Sequence, residues 1–417
     1  MVSNPTFTRA VVLGVALLAA AGSAPAAESA MAGAAGDARA AAAREVAHGN
    51  LITDTHIDVP YRLHEEWSDV TGATADGDFD YVRARAGGLD LPFMSIFTPA
   101  ESEAAGTSYQ LANELIDNVE ALVGRAPDRF ALVRTPEEAE QAFRAGRIGL
   151  AMGMENGSPI AGKLENVAFF KQRGISYITL AHALSNHLSD SSYDEERKWN
   201  GLSPFGKEVV AEMNRLGVMV DVSHLSDDAF WQVIELSQAP VIASHSSARH
   251  FTPGFERNMS DEMIRALAAK GGVIMINFGS SFLTQEARQW FDDMRDAREA
   301  WLAQNGYDEH GPEAGDFGKQ YRAQHPFPYA DMDDLMAHFT HVIDLVGIEH
   351  VGIGSDFDGV GDSLPEGMKD VSFYPNLVER LLRLEYPVEA IRKVMSGNLL
   401  RVWRQVEAHA AHGGDHA

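Results

Sequence analysis

In LITDTHID, residues 51–58, an apolar, strand-like run ends in the polar side chains His56 and Asp58. Further apolar runs carry a carboxylate or an imidazole at their ends: IGLAMGMEN (148–156), VMVDVSH (218–224), PVIASH (240–245) and VGIGSD (351–356). Parallel strands that alternate with helices present their carboxyl ends on one side of a barrel. The pattern therefore predicts a barrel with these polar groups at its mouth.

Eight segments are predicted to be strands, because they are short, largely apolar and separated by amphipathic helical stretches. They are Leu51–Asp58, Leu89–Phe97, Ile148–Glu155, Ile175–His182, Val218–His224, Pro240–His245, Gly272–Phe278 and Val351–Asp356. Between them, Thr135 and Pro136 are typical of a helix start, and Gly217 is typical of a helix end. Strand–helix alternation of this kind indicates an α/β protein with a (β/α)8 TIM-type barrel.

The remaining segments predict the domain organisation. Residues 280–326, which are charged and contain tryptophan, are expected to be an insertion after the seventh strand, and 375–408 to be C-terminal helices outside the barrel. Residues 28–45 are rich in alanine and glycine, which favours a flexible leader. The barrel domain is then expected over 46–408, followed by a disordered, histidine-rich tail at 409–417.

The composition excludes several classes of partner. With 34 basic and 60 acidic side chains, the formal charge is 34 − 60 = −26. This charge argues against binding of nucleic acid and against an anionic membrane surface. The chain contains no cysteine, so disulfides and a cysteine-linked lipid anchor are not expected.

The N-terminus has the pattern of an export signal. Arg9 precedes an apolar run over residues 10–21, and Ala24, Pro25 and Ala26 match a cleavage site. The run is too short to cross a bilayer comfortably, which disfavours the alternative of an uncleaved anchor. Residues 1–27 are therefore predicted to be a cleaved signal peptide, and the mature protein is expected in the periplasm or outside the cell.

The candidate metal ligands are His56, Asp58, Glu155, His224 and His245. His56 and Asp58 lie two residues apart on a strand, so their side chains point the same way. Glu155 ends so apolar a run that burying it unpaired would be costly. Its two oxygens could each bind a metal ion and hold two ions close enough to share a hydroxide. His224 and His245 could then supply the second ion.

Three further residues are candidates for catalysis and substrate binding. His182 could be a metal ligand or a donor to a developing oxyanion, since it ends the fourth predicted strand. Asp356 is the expected general base or proton shuttle, and its rival Asp358 is expected to structure a loop near Gly359. Arg257 is either an exposed arginine or a guanidinium that grips a substrate carboxylate.

Six stretches, in this order along the chain, resemble the membrane (renal) dipeptidases, a metallopeptidase family of the amidohydrolase-like barrels. They are DTHID (54–58), GMENG (153–157), YITLAH (177–182), DVSH (221–224), SHSSAR (244–249) and GIGSDFDGV (352–360). The resemblance extends from about Asn50 to Trp403. It implies a dipeptidase with two zinc ions that cleaves dipeptides.

The resemblance also implies roles for individual residues. Glu155 would bridge the two zinc ions, with His56 and Asp58 on one and His224 and His245 on the other. His182 matches the histidine that contacts substrate and steadies the tetrahedral intermediate. Asp356 matches the catalytic acid/base, and Arg257 matches the arginine that grips the substrate carboxylate, although its alignment needs a shift of one residue.

Other functions remain as alternatives. A nucleophilic serine and a nucleotide site are disfavoured, because the chain has no GxSxG, GxGxxG or GxxxxGK[ST] motif. Another amide or lactam hydrolase could use the same two-metal centre. A non-catalytic periplasmic binding protein is the rival from a different class, but a binder needs no proton shuttle such as Asp356. The sequence leaves the oligomeric state open, with a homodimer as one option.

Overall fold

The computed structural model describes residues 24–307 and 312–413. In the described part of the chain, the strands form one parallel sheet. They are β1 (Ile52–Ile57), β2 (Leu89–Phe97), β3 (Phe130–Leu132), β4 (Ile148–Glu155), β5 (Ile175–Thr179), β6 (Met219–Asp221), β7 (Ile242–Ser246), β8 (Val273–Ile276) and β9 (Val351–Ile353).

The sheet curls into a nearly closed barrel with the order β1-β2-β4-β5-β6-β7-β8-β9, and β3 pairs with β4 off this path. The first strand and the segment after the last one meet through a parallel bridge between Ile57 and Phe357. Two hydrogen bonds join this seam, from Asp58 N to Phe357 O (2.9 Å) and from Asp356 N to His56 O (3.1 Å). The predicted (β/α)8 barrel is therefore confirmed.

The eight predicted strands are the barrel strands, but several end earlier than the sequence suggested. His182, His224 and Asp356 lie past the ends of β5, β6 and β9. His224 and Asp356 have left-handed backbone, with φ of 69° and 65°, which no strand continues through. The strand β3 was not predicted, because three residues are too short to show a period.

Helices surround the barrel. They are α1 (Ala24–His48), α2 (Val59–Glu65), α3 (Tyr81–Gly87), α4 (Ala100–Ala104), α5 (Ser108–Arg125), α6 (Pro136–Arg144), α7 (Glu165–Arg173), α8 (Pro204–Leu216), α9 (Asp227–Leu236), α10 (Asp261–Ala269), α11 (Ser280–Leu283), α12 (Gln285–Asn305), α13 (Pro312–Gln324), α14 (Met332–Val346), α15 (Tyr374–Arg383), α16 (Val388–Arg392) and α17 (Asn398–Gly413). Thr135 caps α6 by accepting a hydrogen bond from Glu138 N, and the left-handed Gly217 ends α8, as the sequence indicated.

The chain termini differ from the expectation of a flexible leader and a disordered tail. Residues 28–45 lie in helix α1, and Ala43 and Ala47 near its end are fully buried. The helix packs on α15, where Arg39 approaches Glu379 at 3.5 Å. At the other end, α17 runs to residue 413, so the first residues of the predicted tail are helical. Burial of Ala43 and Ala47 explains why the end of the predicted leader is helical.

Most of the predicted signal peptide, residues 1–23, and the end of the predicted tail, residues 414–417, lie outside the described residues. None of the described helices combines the length and the apolar character needed to span a bilayer. The predicted insertion forms α11, α12 and α13, and it follows the seventh barrel strand as expected.

The N-terminal end of the barrel is closed by helix α17. Trp403 on this helix is fully buried, and its ring centroid lies 5.4 Å from that of Phe93 inside the barrel. Leu91, Tyr177 and Met275 belong to the same apolar cluster. Apolar side chains thus fill the N-terminal end of the barrel. The polar side chains at the ends of the strands meet at the opposite, carboxyl end.

Candidate metal centre and active site

The sequence-predicted ligands converge at the carboxyl end of the barrel. His56 lies in β1, Glu155 is the last residue of β4, and His245 lies in β7. Asp58 follows β1 as the N-cap of α2, but its carboxylate makes no capping bond, and its Oδ2 lies 3.5 Å from His56 Nε2. His224 turns into the same space after β6.

Glu155 lies at the centre of this cluster. Its Oε2 is 3.3 Å from His56 Nε2, and its Oε1 is 3.2 Å from Nε2 of both His224 and His245. Ser95 on the neighbouring strand donates a hydrogen bond to Oε2 (3.2 Å). The two carboxylate oxygens therefore face different sets of ligands, as sharing between two ions requires.

Hydroxyl groups orient two of the imidazole rings. Tyr177 donates its hydroxyl proton to Thr55 O (2.9 Å), so its oxygen accepts a hydrogen bond from His56 Nδ1 (2.9 Å). Burial raises the pKa of Tyr177, so the hydroxyl keeps its proton. His56 Nε2 is left as a buried atom without a hydrogen-bond partner, aimed at Glu155. This is the arrangement of a metal-binding imidazole, in which the second nitrogen is fixed by a hydrogen bond.

His245 is oriented in the same way. Ser244 donates its hydroxyl to Asp221 Oδ2 (2.6 Å), so the Ser244 oxygen accepts a hydrogen bond from His245 Nδ1 (2.8 Å). Thr179 also donates to Asp221 Oδ2 (2.5 Å). The Nε2 of His245 then carries a lone pair and lies 2.8 Å from Nε2 of His224. Two nitrogens this close require a shared proton or a cation.

The electrostatics of the cluster also favour a cation. Burial alone lowers the pKa of His56, but Tyr177, Glu155 and Asp58 raise it well above its usual range, so positive charge is stabilised at this ring. Burial, together with the charge of Arg257, holds the pKa of His224 well below its usual range. Burial and the charge of His56 lower the pKa of His245 in the same way. Neutral imidazoles beside carboxylates are ligands that divalent transition metals accept. The residues present therefore fit a metal centre.

Asp356 borders this centre and faces a cavity. Its Oδ2 accepts a hydrogen bond from Asn277 Nδ2 (2.7 Å), and burial raises its pKa to about 7, although His56 acts in the opposite direction. Asp358 is engaged elsewhere, because its Oδ1 accepts from Asp78 N (2.6 Å) and its Oδ2 pairs with Arg62 Nε (3.1 Å). Asp356 is therefore the carboxyl group available to exchange a proton.

His182 also faces the cavity. Its Nε2 is 3.6 Å from Glu155 Oε1, and its ring lies edge-on to Phe97, with 4.7 Å between centroids. Its Nδ1 has no hydrogen-bond partner, and burial lowers its pKa. A neutral ring at this position can donate a hydrogen bond to a bound molecule.

Arg257 is buried, not an exposed arginine. It is 3% exposed and donates from Nη1 to Ser246 Oγ (2.7 Å) and from Nη2 to His245 O (2.8 Å). Its guanidinium lies over the ring of Phe282, at 5.3 Å from the centroid, and its Nε has no hydrogen-bond partner. In the part of the chain that is described, no carboxylate pairs with it. A buried cation without an anion is costly, so this side chain is suited to an anionic ligand.

A cavity of about 640 Å³ opens over the cluster. Its lining includes Asp58, Glu155, His182, His224 and Asp356. An apolar wall faces them, made of Tyr61, Phe97, Tyr193, Phe282, Phe291 and Met294. Phe291 and Met294 belong to α12, so the insertion forms part of the site. The arginines of the wall have acidic partners: Arg62 pairs with Asp358, and Arg288 and Arg295 pair with Asp292.

Sequence reasoning missed the residues that support the ligands. The sequence analysis predicts no supporting role for Tyr177, Ser244, Asp221 or Asn277, although each lies in, or directly after, a barrel strand. Asp221 stands three residues before His224, and Ser244 precedes His245 directly. Polar residues within otherwise apolar strands could have drawn attention to them, since such residues are buried only with partners.

Known proteins are similar to this chain over most of its length. The model of the membrane dipeptidase family (peptidase family M19) matches residues 40–414. A Schizosaccharomyces pombe protein named an uncharacterized dipeptidase is 31% identical over 384 residues, covering 87% of this chain and 82% of that protein.

Solved structures of two bacterial proteins are also similar to this chain. The crystal structure of the probable dipeptidase PvdM from Pseudomonas aeruginosa has a TM-score of 0.79 and 27% identity, over 90% of this chain and all (100%) of that one. A metallo peptidase from Rhodobacter sphaeroides, with a TM-score of 0.70 and 24% identity over 86% and 99% of the two chains, shares the fold. With the family model matching nearly the whole chain and the relatives covering most of it, this chain belongs to the membrane dipeptidase family, peptidase family M19, and is a metallo-dipeptidase of that family.

Proposed function

We propose that the chain is an exported dipeptidase that binds two zinc ions at the barrel mouth. One ion would be held by His56, Asp58 and Glu155, and the other by Glu155, His224 and His245. The observation that carries this proposal is that the two oxygens of Glu155 face separate sets of imidazole nitrogens at 3.2–3.3 Å. When bound, zinc ions polarise a substrate carbonyl and lower the pKa of water.

Asp356 is proposed to move the proton. It takes the proton released by the attacking water and passes it to the leaving amine, as a general base and then a general acid. Asn277 fixes one oxygen of the carboxyl group by a hydrogen bond of 2.7 Å, which leaves the other oxygen free for the proton. The raised pKa, about 7, suits a group that must both accept and release a proton near neutral pH.

His182 and Arg257 are proposed to hold the substrate. His182 lines the cavity and would donate a hydrogen bond to the oxygen of the peptide carbonyl, where negative charge develops. Arg257 would bind the C-terminal carboxylate, because its guanidinium is buried, its Nε has no hydrogen-bond partner, and no carboxylate of the described residues forms an ion pair with it. One residue then lies between the carboxylate and the scissile carbonyl, and a tripeptide held by the same clamp would push an extra residue into the cavity mouth, so dipeptides are the proposed substrates.

The substrate test compares a dipeptide with a free C-terminus, its C-terminal amide and a tripeptide. The dipeptide should be cleaved, and the amide poorly, because a charged hydrogen bond contributes roughly 1.5–3 kcal/mol. Arg257→Ala should narrow the difference between acid and amide. Arg257→Lys keeps the charge, so its difference in rate between acid and amide should lie between those of the unmodified protein and Arg257→Ala. Thermal melting shows whether each variant folds. Equal rates on all three substrates would exclude the clamp and favour a broader amide or lactam hydrolase.

The metal test uses Glu155→Gln. Elemental analysis of the unmodified protein should give about two zinc ions per chain, and the variant should lose both, because one side chain serves both positions. Glu235→Gln, an exposed change on α9, is the matched control and should keep the full content. Full metal in Glu155→Gln would remove this residue from the shared position.

Export is proposed from the N-terminal sequence. Arg9, the apolar run over residues 10–21 and Ala24–Ala26 support a cleaved signal. N-terminal sequencing of the mature protein should begin near Ala27 or Glu28, and the protein should be found in the periplasm or medium. A membrane-bound product that starts at Met1 would contradict the proposal.

A further inference from the structure

A second cluster of side chains of the types that ligate metals lies outside the cavity. His250 follows β7, Asp261 is the first residue of α10, and His341 lies in α14. None of the three lines the active-site cavity. Ligand atoms of the three side chains lie within 4.8 Å of one another, and all three are at least partly exposed. Residues from three separate elements are thus brought together at the outer face of the barrel.

The contacts within this group are short. His341 Nε2 lies 2.7 Å from Asp261 Oδ1, and the rings of His250 and His341 stack with 4.5 Å between centroids. Phe251 packs against both imidazoles, at 4.9 Å from His250 and 5.5 Å from His341. The aromatic ring holds the two histidines side by side on the surface.

We propose that His250, Asp261 and His341 bind one divalent transition-metal ion of the zinc class. Two imidazoles and a carboxylate are a common protein ligand set for zinc, with the fourth position left to water. Bond lengths of about 2.0–2.1 Å imply ligand atoms roughly 3.3 Å apart around a tetrahedral ion. The ligand atoms already lie within 4.8 Å of one another, so a modest rotation of the exposed His250 side chain would bring them to this spacing. The formal charge of −26 adds a general attraction for cations.

Such an ion would join the loop after β7 to α14. One connection already exists beneath it, since the buried His338 accepts a hydrogen bond from Ala248 N (3.1 Å) and donates one to Leu283 O (3.0 Å). The same loop carries Arg257, whose guanidinium is proposed to bind substrate. The ion would therefore stiffen the segment that positions Arg257, at a distance from the two proposed catalytic ions.

The experiment counts zinc by equilibrium dialysis of the full chain against zinc buffered at micromolar free concentration. The unmodified protein should bind one ion more than the double variant His250→Ala/His341→Ala. Melting temperature should rise with zinc in the unmodified protein, and this added rise should be lost in the double variant. His341→Gln, which can still hydrogen-bond Asp261, should lose the ion while keeping the fold.

Two controls make the count decisive. The C-terminal histidines could also collect metal, so His409→Ala/His412→Ala should keep the additional ion. His48→Ala, an isolated exposed histidine of α1, should keep it too. Equal zinc content in the unmodified protein and His250→Ala/His341→Ala would overturn the proposal, as would loss of the ion on changing the C-terminal pair. The zinc count does not depend on cleavage of any dipeptide, so it is independent of the proposed function.

Discussion

Tyr177→Phe removes a single oxygen from the support of one proposed zinc ion. The ring should keep its place, because it packs over Gly153, where a Cβ would collide with it, and stacks on Phe93 at 5.8 Å. The change removes the acceptor for His56 Nδ1 and the donor to Thr55 O, each at 2.9 Å and each buried. His56 then loses the contact that directs its Nε2 towards Glu155.

The expected magnitude has two parts. An unpaired buried polar group costs about 1–3 kcal/mol, so the free energy of unfolding should fall by a similar amount. Loss of a partner behind a metal-binding histidine weakens affinity by roughly 10–100-fold. Ser244→Ala makes the equivalent change behind His245, where the Ser244 hydroxyl links His245 Nδ1 to Asp221. The two variants should therefore weaken different ions.

The assay is anomalous X-ray scattering from crystals equilibrated at limiting zinc, which measures the occupancy of each position separately. Tyr177→Phe should lower occupancy beside His56 and Asp58, and Ser244→Ala should lower it beside His224 and His245. Competition with a chelator in solution gives the affinities. Unchanged occupancy in Tyr177→Phe, or equal loss at both positions in each variant, would refute the reasoning that separate hydroxyls orient separate ligands.

Three further predictions concern catalysis, stability and specificity. Asp356→Asn should retain metal and fold but lower kcat by about 10²–10⁴-fold, measured on a dipeptide at saturating zinc; near-normal turnover would assign the proton to another group. Burial raises the pKa of the Asp90 carboxyl group from 3.8 to about 7. The folded state therefore binds the carboxyl proton more tightly than the unfolded state does. As the pH rises from 3.8 to about 7, the free energy of unfolding should fall. Asp90→Asn should therefore raise stability at pH 8 by at most about 4 kcal/mol and leave it unchanged near pH 3, as measured by denaturant unfolding. Phe291→Ala and Met294→Ala remove apolar side chains from the cavity wall formed by α12. The kcat/KM for a dipeptide with C-terminal Phe should then fall by about 10-fold, while kcat/KM for Ala-Ala changes little. Equal losses on both substrates would contradict a contact between this wall and the substrate side chain.

The barrel strands could be predicted from the sequence because the evidence for each strand is local. Apolar runs of strand length, interrupted by capped helices, identify β1, β4 and β7 without any knowledge of their partners. The lengths of β5, β6 and β9 could not be predicted, since they depend on left-handed backbone at His224 and Asp356 and on pairing across the sheet. The composition of residues 28–45 favours a flexible leader, but in the folded chain this segment is helical and packs on α15, with Ala43 fully buried.

The meeting of His56, Glu155, His224 and His245 could be predicted from the sequence alone. Parallel strands in a barrel bring their carboxyl ends together whatever the loops between them, so position at a strand end is sufficient. Which nitrogen of each ring faces the centre depends instead on contacts made only in the folded chain. His56 and Tyr177 are 121 residues apart, and their contact depends on strand register and on the absence of a side chain at Gly153. The burial of Arg257 and the apolar wall from α12 likewise arise from packing between distant segments, which no local pattern of residues records.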